Sequence, residues 1–188
     1  MKKFFMLIAS VIMAMNVFAV EFYDEIGYNI NLALAEEKTL FSYEGIDKDF
    51  TFILDNNWGA NVSIKSSMAF YEDSSDIDRS LFSLSFNFGP AYKVIFSDVF
   101  SYIVSPGINV ALISNVNQAV VPGISLNNKL IITPFKSKWI YFNLTGNIVY
   151  DFYPEEYKVT NGMINNALFF NASAGIGFKI DTKRFKKN

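Results

Sequence analysis

The sequence predicts an all-β chain that folds as an eight-stranded antiparallel up-and-down transmembrane β-barrel. Three observations support this prediction. Beyond residue 22, apolar residues recur at every second position, which is the period of a strand. Tight turns alternate with longer polar linkers, as in a sheet whose consecutive strands are neighbours. One face of the strands is built from small polar residues, and the other face is rich in Phe, Tyr, Leu and Ile.

The first residues do not belong to the barrel. Lys2 and Lys3 precede an apolar run, and Val17-Phe18-Ala19 suits a signal-peptidase site. This run is shorter than the roughly 20 apolar residues of a membrane-spanning helix. We expect residues 1–19 to be a signal peptide cleaved after Ala19. Residues 20–181 are expected to form the barrel, and residues 182–188 a basic periplasmic tail.

Eight segments have strand periodicity, and no helical pattern interrupts them. The predicted strands are residues 23–35, 48–55, 60–71, 80–96, 99–113, 120–133, 139–152 and 166–181. The predicted tight turns are residues 55–59, 96–99 and 134–138, and the longer loops are residues 36–47, 72–79, 114–119 and 153–165. Pro90 and Pro106 fall inside strands, where each removes a ladder donor. With a turn centred on Asp98 the two prolines face each other, and we expect a bulge or bend there.

Periodicity alone does not tell which face points outward, because a soluble barrel with an apolar interior has the same period. The residue types favour a membrane barrel. Over the clearest parts of five strands, the charges on the polar face are Lys65 and Lys179 alone, whereas a strand face in water normally carries many charges. The bulky apolar face is too large for the interior of eight strands, which side chains just fill. We therefore expect the apolar face to contact lipid.

Aromatic residues gather near both predicted ends of the barrel. Trp58, Phe96 and Trp139 lie by the tight turns, and Tyr150 and Phe152 lie by the longest loop. Two bands of aromatic side chains at the two membrane interfaces are typical of transmembrane barrels. We expect these five residues to be interfacial.

Two stretches carry a resemblance to a known family. They are "FNFGPAYKVIFSDVF" around a tight turn and "NASAGIGFKI" as the closing strand. With the strand pattern of residues 22–181, they make the chain similar to the small eight-stranded outer-membrane β-barrels of the OmpA-barrel, OmpX and OmpW type. The resemblance implies a bacterial outer-membrane location, short turns in the periplasm and long loops outside the cell. It also implies insertion by the barrel assembly machinery. The chain departs from this family at its end, since Phe185 is followed by Lys186-Lys187-Asn188.

The candidate site residues are charges that we expect inside the barrel. Lys65 and Lys129 are expected to point into the lumen, either as selectivity charges or, as we favour, in ion pairs with a carboxylate or amides. Glu25 and Asp55 are the candidate partners. The remaining acids are expected mainly in or beside the loops as a solvated surface: Glu36, Glu37, Glu44, Asp47, Asp49, Glu72, Asp73, Asp76, Asp78, Glu155 and Glu156.

The composition disfavours several classes of function. The chain has no histidine and no cysteine, so it lacks the commonest general base and the commonest transition-metal ligands. Residues 20–178 carry 9 basic and 17 acidic residues, which disfavours nucleic-acid binding. Gly175-Ile176-Gly177 continues into a strand rather than a helix, so it is not a dinucleotide fingerprint. We expect no catalytic residues, no cofactor and no metal.

The expected function is therefore that of a non-enzymatic integral outer-membrane protein. Its role would be structural or surface-interacting, through acidic extracellular loops that meet an unknown extracellular ligand. Its other partners would be outer-membrane lipid and the assembly machinery. A narrow channel, or a conduit for small or hydrophobic solutes, is the first alternative. A soluble periplasmic barrel that binds a ligand in its interior is the second.

Overall fold

The computed structural model describes residues 21–34, 40–72, 78–114, 118–134, 139–152 and 167–181. Eight strands form one closed antiparallel barrel in which each strand pairs with its neighbours in sequence. The strands are β1 Glu21–Leu34, β2 Leu40–Ile53, β3 Trp58–Glu72, β4 Asp78–Ile95, β5 Phe100–Ser114, β6 Gln118–Ile132, β7 Ile140–Asp151 and β8 Ala167–Asp181. The predicted up-and-down barrel is confirmed. The expected signal peptide and basic tail lie outside the described residues.

The register gives the strands a strong tilt. Stepping from Asp24 to its paired residue on each strand in turn leads around the barrel to Leu34, ten positions further along β1. Such a stagger in an eight-stranded barrel corresponds to a tilt of about 35–45°. We call the end with the β2–β3, β4–β5 and β6–β7 turns the lower end. β1 also begins there, and β8 ends there.

The alternation predicted from the sequence is confirmed along the described strands. Odd-numbered residues point into the barrel and even-numbered residues point outward, as β7 shows with alternating exposed and buried residues. The outward side chains are mostly large and apolar, for example Ile26, Phe88 and Leu144, which are each 50% exposed or more. In water such a surface would be unfavourable, so it is suited to an apolar solvent. No helix in the described part of the chain is long and apolar enough to cross a membrane.

One strand boundary was predicted wrongly. β2 begins at Leu40 rather than at residue 48, and every other predicted strand end lies within two residues of the observed one. The missed part of β2 carries Glu44 outward and Asp47 inward. Because charges on both faces remove the apolar period, this half of the strand has the composition of a loop.

The earlier start of β2 also changes the predicted difference in loop length between the two ends of the barrel. The β1–β2 connection covers only residues 35–39, which is close to the four residues of the β2–β3 and β4–β5 turns. The β6–β7 connection, residues 133–139, is longer than predicted. The difference between the ends therefore depends on the β7–β8 connection, residues 152–166.

Pro90 and Pro106 interrupt the ladder between β4 and β5. Pairing stops at Phe88↔Ile108 and resumes at Tyr92↔Val104, a register that sets the two prolines opposite each other. The register is the same on both sides, so no residue is inserted and the expected bulge is absent. The gap arises because proline has no N–H to donate to the ladder. Ser105 Oγ donates a hydrogen bond of 2.7 Å to the Pro90 carbonyl across this gap.

Candidate functional site: the lumen of the barrel

The lumen is filled by side chains in successive layers. At the lower rim, Glu21 accepts a salt bridge of 2.6 Å from Lys179 and a second one from Lys93. Tyr23 donates a hydrogen bond of 2.7 Å from its hydroxyl to the same carboxylate. Two cations and a hydroxyl therefore surround one carboxylate, and Lys93 reaches it from β4 across the lumen.

Above this rim lies an apolar layer, which we call the plug. Its members come from six strands and are each 1% exposed or less: Tyr23, Ile53, Ala91, Ile103, Ile131 and Tyr141. The rings of Tyr23 and Tyr141 meet edge to face, with centroids 5.4 Å apart. Gly177 makes room for Tyr141, because a Cβ on this glycine would overlap the tyrosine ring. The plug thus fills this part of the lumen with apolar side chains.

A charged cluster lies directly above the plug. Lys129 Nζ is 2.5 Å from Glu25 Oε1 and 2.6 Å from Asp49 Oδ1. Tyr141 Oη donates to Glu25 at 2.9 Å, which links the cluster to the plug. All four side chains are buried. The surroundings satisfy the carboxylates further, since Asn61 Nδ2 donates to Asp49 Oδ1 at 2.7 Å.

The cluster holds one cation between two anions. Burying a charge is costly unless it is paired and hydrogen-bonded. Lys129 is 1% exposed, and its ammonium group also contacts Thr51 Oγ1 at 3.2 Å. The arrangement thus ties β6 to β1 and β2 across the lumen. Both carboxylates of the cluster contact the Lys129 ammonium group.

The upper lumen is lined by neutral polar side chains with a lysine and two carboxylates among them. Lys65 Nζ donates to Asn171 Oδ1 at 2.9 Å, and Ser173 Oγ donates to Asp47 Oδ2 at 3.0 Å. Asn31 Nδ2 donates to Ser67 Oγ at 2.9 Å. These contacts join β1, β2, β3 and β8 on one side of the barrel.

A cavity lies beside this network and is lined chiefly by β3, β4, β5 and β7. Its wall includes Asn87, Asn109, Asn147 and Asp151, and Asn109 Nδ2 donates to Asp151 Oδ1 at 2.6 Å. The centres of water molecules can occupy about 40 Å³ of it, and one water needs about 10–15 Å³ on that measure. The cavity therefore has room for a few water molecules.

The structure brings three of the four candidate lumen charges inside the barrel. Lys129 and Glu25 are in direct contact, and Lys65 is buried against an amide. Asp55 does not face the lumen. It lies in the turn between β2 and β3 with an exposed side chain, because the strand ends at Ile53 and the alternation ends with it.

Two lumen carboxylates were assigned wrongly to the solvated surface. Asp47 and Asp49 are 5% and 2% exposed and point into the barrel. The alternation along β2 could have identified them as inward-pointing. Asp47, Asp49, Thr51 and Ile53 continue one odd-numbered face, opposite Phe50 and Phe52. Glu44, also expected in the loop region, lies on the outward face of β2.

The five predicted interfacial aromatics lie near the ends of the barrel. Trp58, Phe96 and Trp139 are exposed at the lower end, and the Trp58 ring contacts Tyr92 with centroids 5.0 Å apart. Tyr150 and Phe152 meet edge to face at the upper end of β7, with centroids 5.2 Å apart. Among the described residues, no group of acidic, cysteine or histidine side chains is arranged to hold a metal ion.

No protein-family model matches the sequence, and no curated protein matches it. Solved structures do match the fold. The chain is similar to Ail, the attachment invasion locus protein of Yersinia pestis, at 16% identity and a TM-score of 0.56, over 86% of this chain and 99% of that one. It is similar to Neisserial surface protein A at 9% identity and a TM-score of 0.60, over 85% and 97%.

The outer membrane protein OprG from Pseudomonas aeruginosa matches at 12% identity and a TM-score of 0.59, over 87% of this chain and 97% of that one. At these identities the likeness concerns the fold. The predicted resemblance to small eight-stranded outer-membrane barrels is confirmed at that level.

Proposed function

We propose that this chain is an integral outer-membrane β-barrel protein with a closed lumen and a non-enzymatic, structural or surface-interaction role. The observation that carries the proposal is the closure of the barrel by two consecutive layers. The plug fills the axis with apolar side chains. Directly above it, Lys129 is fixed between two carboxylates. An ion that entered the lumen would have to break this cluster and then cross the plug without water.

The outward surface supports the membrane location. It is an apolar belt with aromatic side chains at both ends, as expected of a barrel in a bilayer. The signal peptide expected at residues 1–19 would direct export. The resemblance to outer-membrane barrels supports insertion by the barrel assembly machinery. Outer-membrane lipid and that machinery are thus the proposed partners.

The charge of the connecting segments suggests the chemistry of an external ligand. Residues 35–39, 73–77, 115–117 and 152–166, which connect the strands at the upper end, contain six acidic and two basic residues. Ail from Yersinia pestis has been crystallised in complex with the heparin analogue sucrose octasulfate. A polyanion of that kind would be repelled by the acidic segments of this chain. We therefore propose a cationic partner, such as a basic protein surface, for the upper end.

Ion flux through the refolded protein tests the closed lumen. Liposomes containing the wild-type chain should release a trapped monovalent salt no faster than empty liposomes. A variant with both Tyr23→Ala and Tyr141→Ala should release it faster, because the two rings that fill the plug are removed. Heat-dependent gel migration would verify that both proteins are folded in the membrane. Rapid release by the wild-type chain would show that the lumen is open and would refute the proposal.

A conduit for small hydrophobic solutes is the second candidate, and the gap between β4 and β5 favours it. A lateral groove at this gap is lined by apolar groups, including Val62, Phe88 and Ile108. A Cβ on Gly89 would come within 2.7 Å of Gly107 Cα, so the strands touch there without ladder hydrogen bonds.

Restoring the missing donors would test this candidate. In a Pro90→Val, Pro106→Val variant the ladder can close, and uptake of a hydrophobic fluorophore into vesicles should fall. Pro122→Val is the matched control, since Pro122 lies on β6 within an uninterrupted ladder. Equal uptake in the wild-type chain, the double variant and the control would exclude the gap as a route.

A further inference from the structure

The outward wall of β1 and β2 differs from the rest of the barrel surface. Among the strand side chains that the structure describes, the outward-pointing charges are Asp24, Glu44 and Lys48, and all three lie on these two strands. Lys48 forms a salt bridge with Asp24. Tyr28 Oη donates to Glu44 Oε2 at 2.5 Å. We call these four residues the outer polar patch.

The patch lies within the membrane-facing part of the wall. Lys48 is five positions above the lower end of β2 and pairs with Ile26 and Ile64. With a rise of about 3.3 Å per residue and a tilt of about 45°, this places it roughly 12 Å above the end of the strand. The apolar band of such barrels is about 25 Å tall. The ion pair of Lys48 and Asp24 would therefore face hydrocarbon in an isolated barrel.

Hydrocarbon is an unfavourable environment for this pair. Charged side chains on the lipid face of a barrel are destabilising, most strongly at the midplane. The side chains of Lys48 and Asp24 are 39% and 36% exposed, so the contact between them shields each only in part. A protein surface that covers the patch would remove the remaining exposure to lipid.

We propose that the outer polar patch is the contact surface of a homodimer, with a second copy of this chain as its occupant. Two copies in one membrane are related by an axis along the membrane normal, so each residue stays at its own depth. Lys48 and Asp24 touch each other and therefore share a depth, and the same holds for Tyr28 and Glu44. In such a dimer, Lys48 of one copy can pair with Asp24 of the other. Tyr28 of one copy can likewise donate to Glu44 of the other, since the two groups lie at the same depth.

The neighbouring side chains allow close approach. Ala172 and Ala174 lie on the outward face of β8, opposite Ile30 and Tyr28 of β1. On the other flank, β3 presents Ser66, whose hydroxyl donates to the Ile46 carbonyl at 3.2 Å. Small side chains at membrane interfaces let two backbones come near each other. A different protein would need its own charges at these depths, whereas a second copy has them by symmetry.

Disulfide crosslinking in vesicles tests the proposal, because the chain has no cysteine of its own. Ile26→Cys places a thiol beside the patch, and Leu126→Cys places one on the outward face of β6, on the far side of the barrel. Under mild oxidation the Ile26→Cys protein should form crosslinked dimers, and the Leu126→Cys protein should remain monomeric. Equal crosslinking of the two would indicate random collision and would overturn the proposal.

Charge variants test whether the pairs are exchanged between copies. In the Ile26→Cys background, Asp24→Lys and Lys48→Asp should each abolish crosslinking alone and restore it when the two proteins are mixed. If a single charge variant does not fold, the neutral Asp24→Asn, Lys48→Gln variant replaces it. It should lower the association constant about tenfold or more, since desolvated charge pairs contribute at least a decade in affinity. An unchanged association constant would refute the exchange.

This inference rests on the proposed membrane location, and membrane fractionation separates the two. A chain that does not partition into the membrane contradicts the proposed function itself. A chain that is integrated but shows no preference for crosslinking through Ile26→Cys contradicts the dimer alone.

Discussion

Replacing Lys129 by methionine is the sharpest test of the lumen architecture. The substitution keeps the length of the side chain and removes its charge. Glu25 and Asp49, which contact the ammonium at 2.5 and 2.6 Å, would then be two buried carboxylates without a cation between them. They would have to take up protons, rearrange or admit water, and each of these outcomes lowers the stability of the folded barrel.

The structure gives the size of the effect. At these separations and an effective dielectric constant of about 20, each contact is worth roughly 6 kcal/mol before desolvation. Desolvation of the three buried charges offsets most of this attraction. Breaking a buried pair by removing one partner typically costs about 3–5 kcal/mol. We expect Lys129→Met to lower the free energy of unfolding by that amount.

The assay is urea unfolding of the protein folded in lipid vesicles, followed by the fluorescence of Trp58 and Trp139. Lys65→Met is the matched control, because Lys65 is also buried in the lumen but donates to the neutral amide of Asn171. Its loss should cost about 1.5–3 kcal/mol, the contribution of a hydrogen bond made by a charged group. Adding Glu25→Gln and Asp49→Asn to Lys129→Met should recover much of the lost stability.

The reasoning would be refuted if Lys129→Met were no more destabilising than Lys65→Met. It would also fail if the neutral triple variant were less stable than Lys129→Met alone, because unpaired carboxylates would then not be the cause of the loss.

Three further predictions concern other parts of the chain. Gly45→Ala should destabilise the barrel by about 1–3 kcal/mol through overpacking, since its Cβ would overlap the neighbouring backbone, whereas Gly146→Ala, with nothing within 4 Å, should be near neutral in the same urea assay. Tyr141→Phe should lower the unfolding free energy by about 1.5–3 kcal/mol because a hydrogen bond to the charged Glu25 is lost, and an unchanged urea midpoint would contradict this. Mass spectrometry of the exported protein should show cleavage after Ala19, and an intact residue 1–19 segment would contradict the expected signal peptide.

Much of the fold could be predicted from the sequence because alternation is a local property. In β7 and β8, buried and exposed residues alternate, and most of the exposed ones are large and apolar. Both strands were predicted to within two residues. The first half of β2 could not be predicted in this way. Its charges lie on both faces, and the strand is defined there by pairing with β1, which involves residues far apart in the sequence.

The candidate site, like the fold, could be predicted where the signal is local and not where it depends on strand pairing. Lys65 and Lys129 could be identified as lumen charges because each interrupts a small polar face. Of the two carboxylates that contact Lys129, Glu25 was among the predicted partners and Asp49 was not. Asp49 is 80 residues away in sequence, and it meets Lys129 because of the barrel register. Asp55 was wrongly included because the end of β2 could not be located to the residue.

By itself, the sequence determined that this chain is a barrel of alternating strands with its bulky face outward, because side-chain size and period two act at each residue separately. The tertiary structure decided which charges meet in the lumen, where the plug lies and how the outer polar patch is composed. Those features depend on closure and on a stagger of ten residues around the barrel. Closure and stagger bring together residues from strands that are remote in sequence, and no local pattern encodes them.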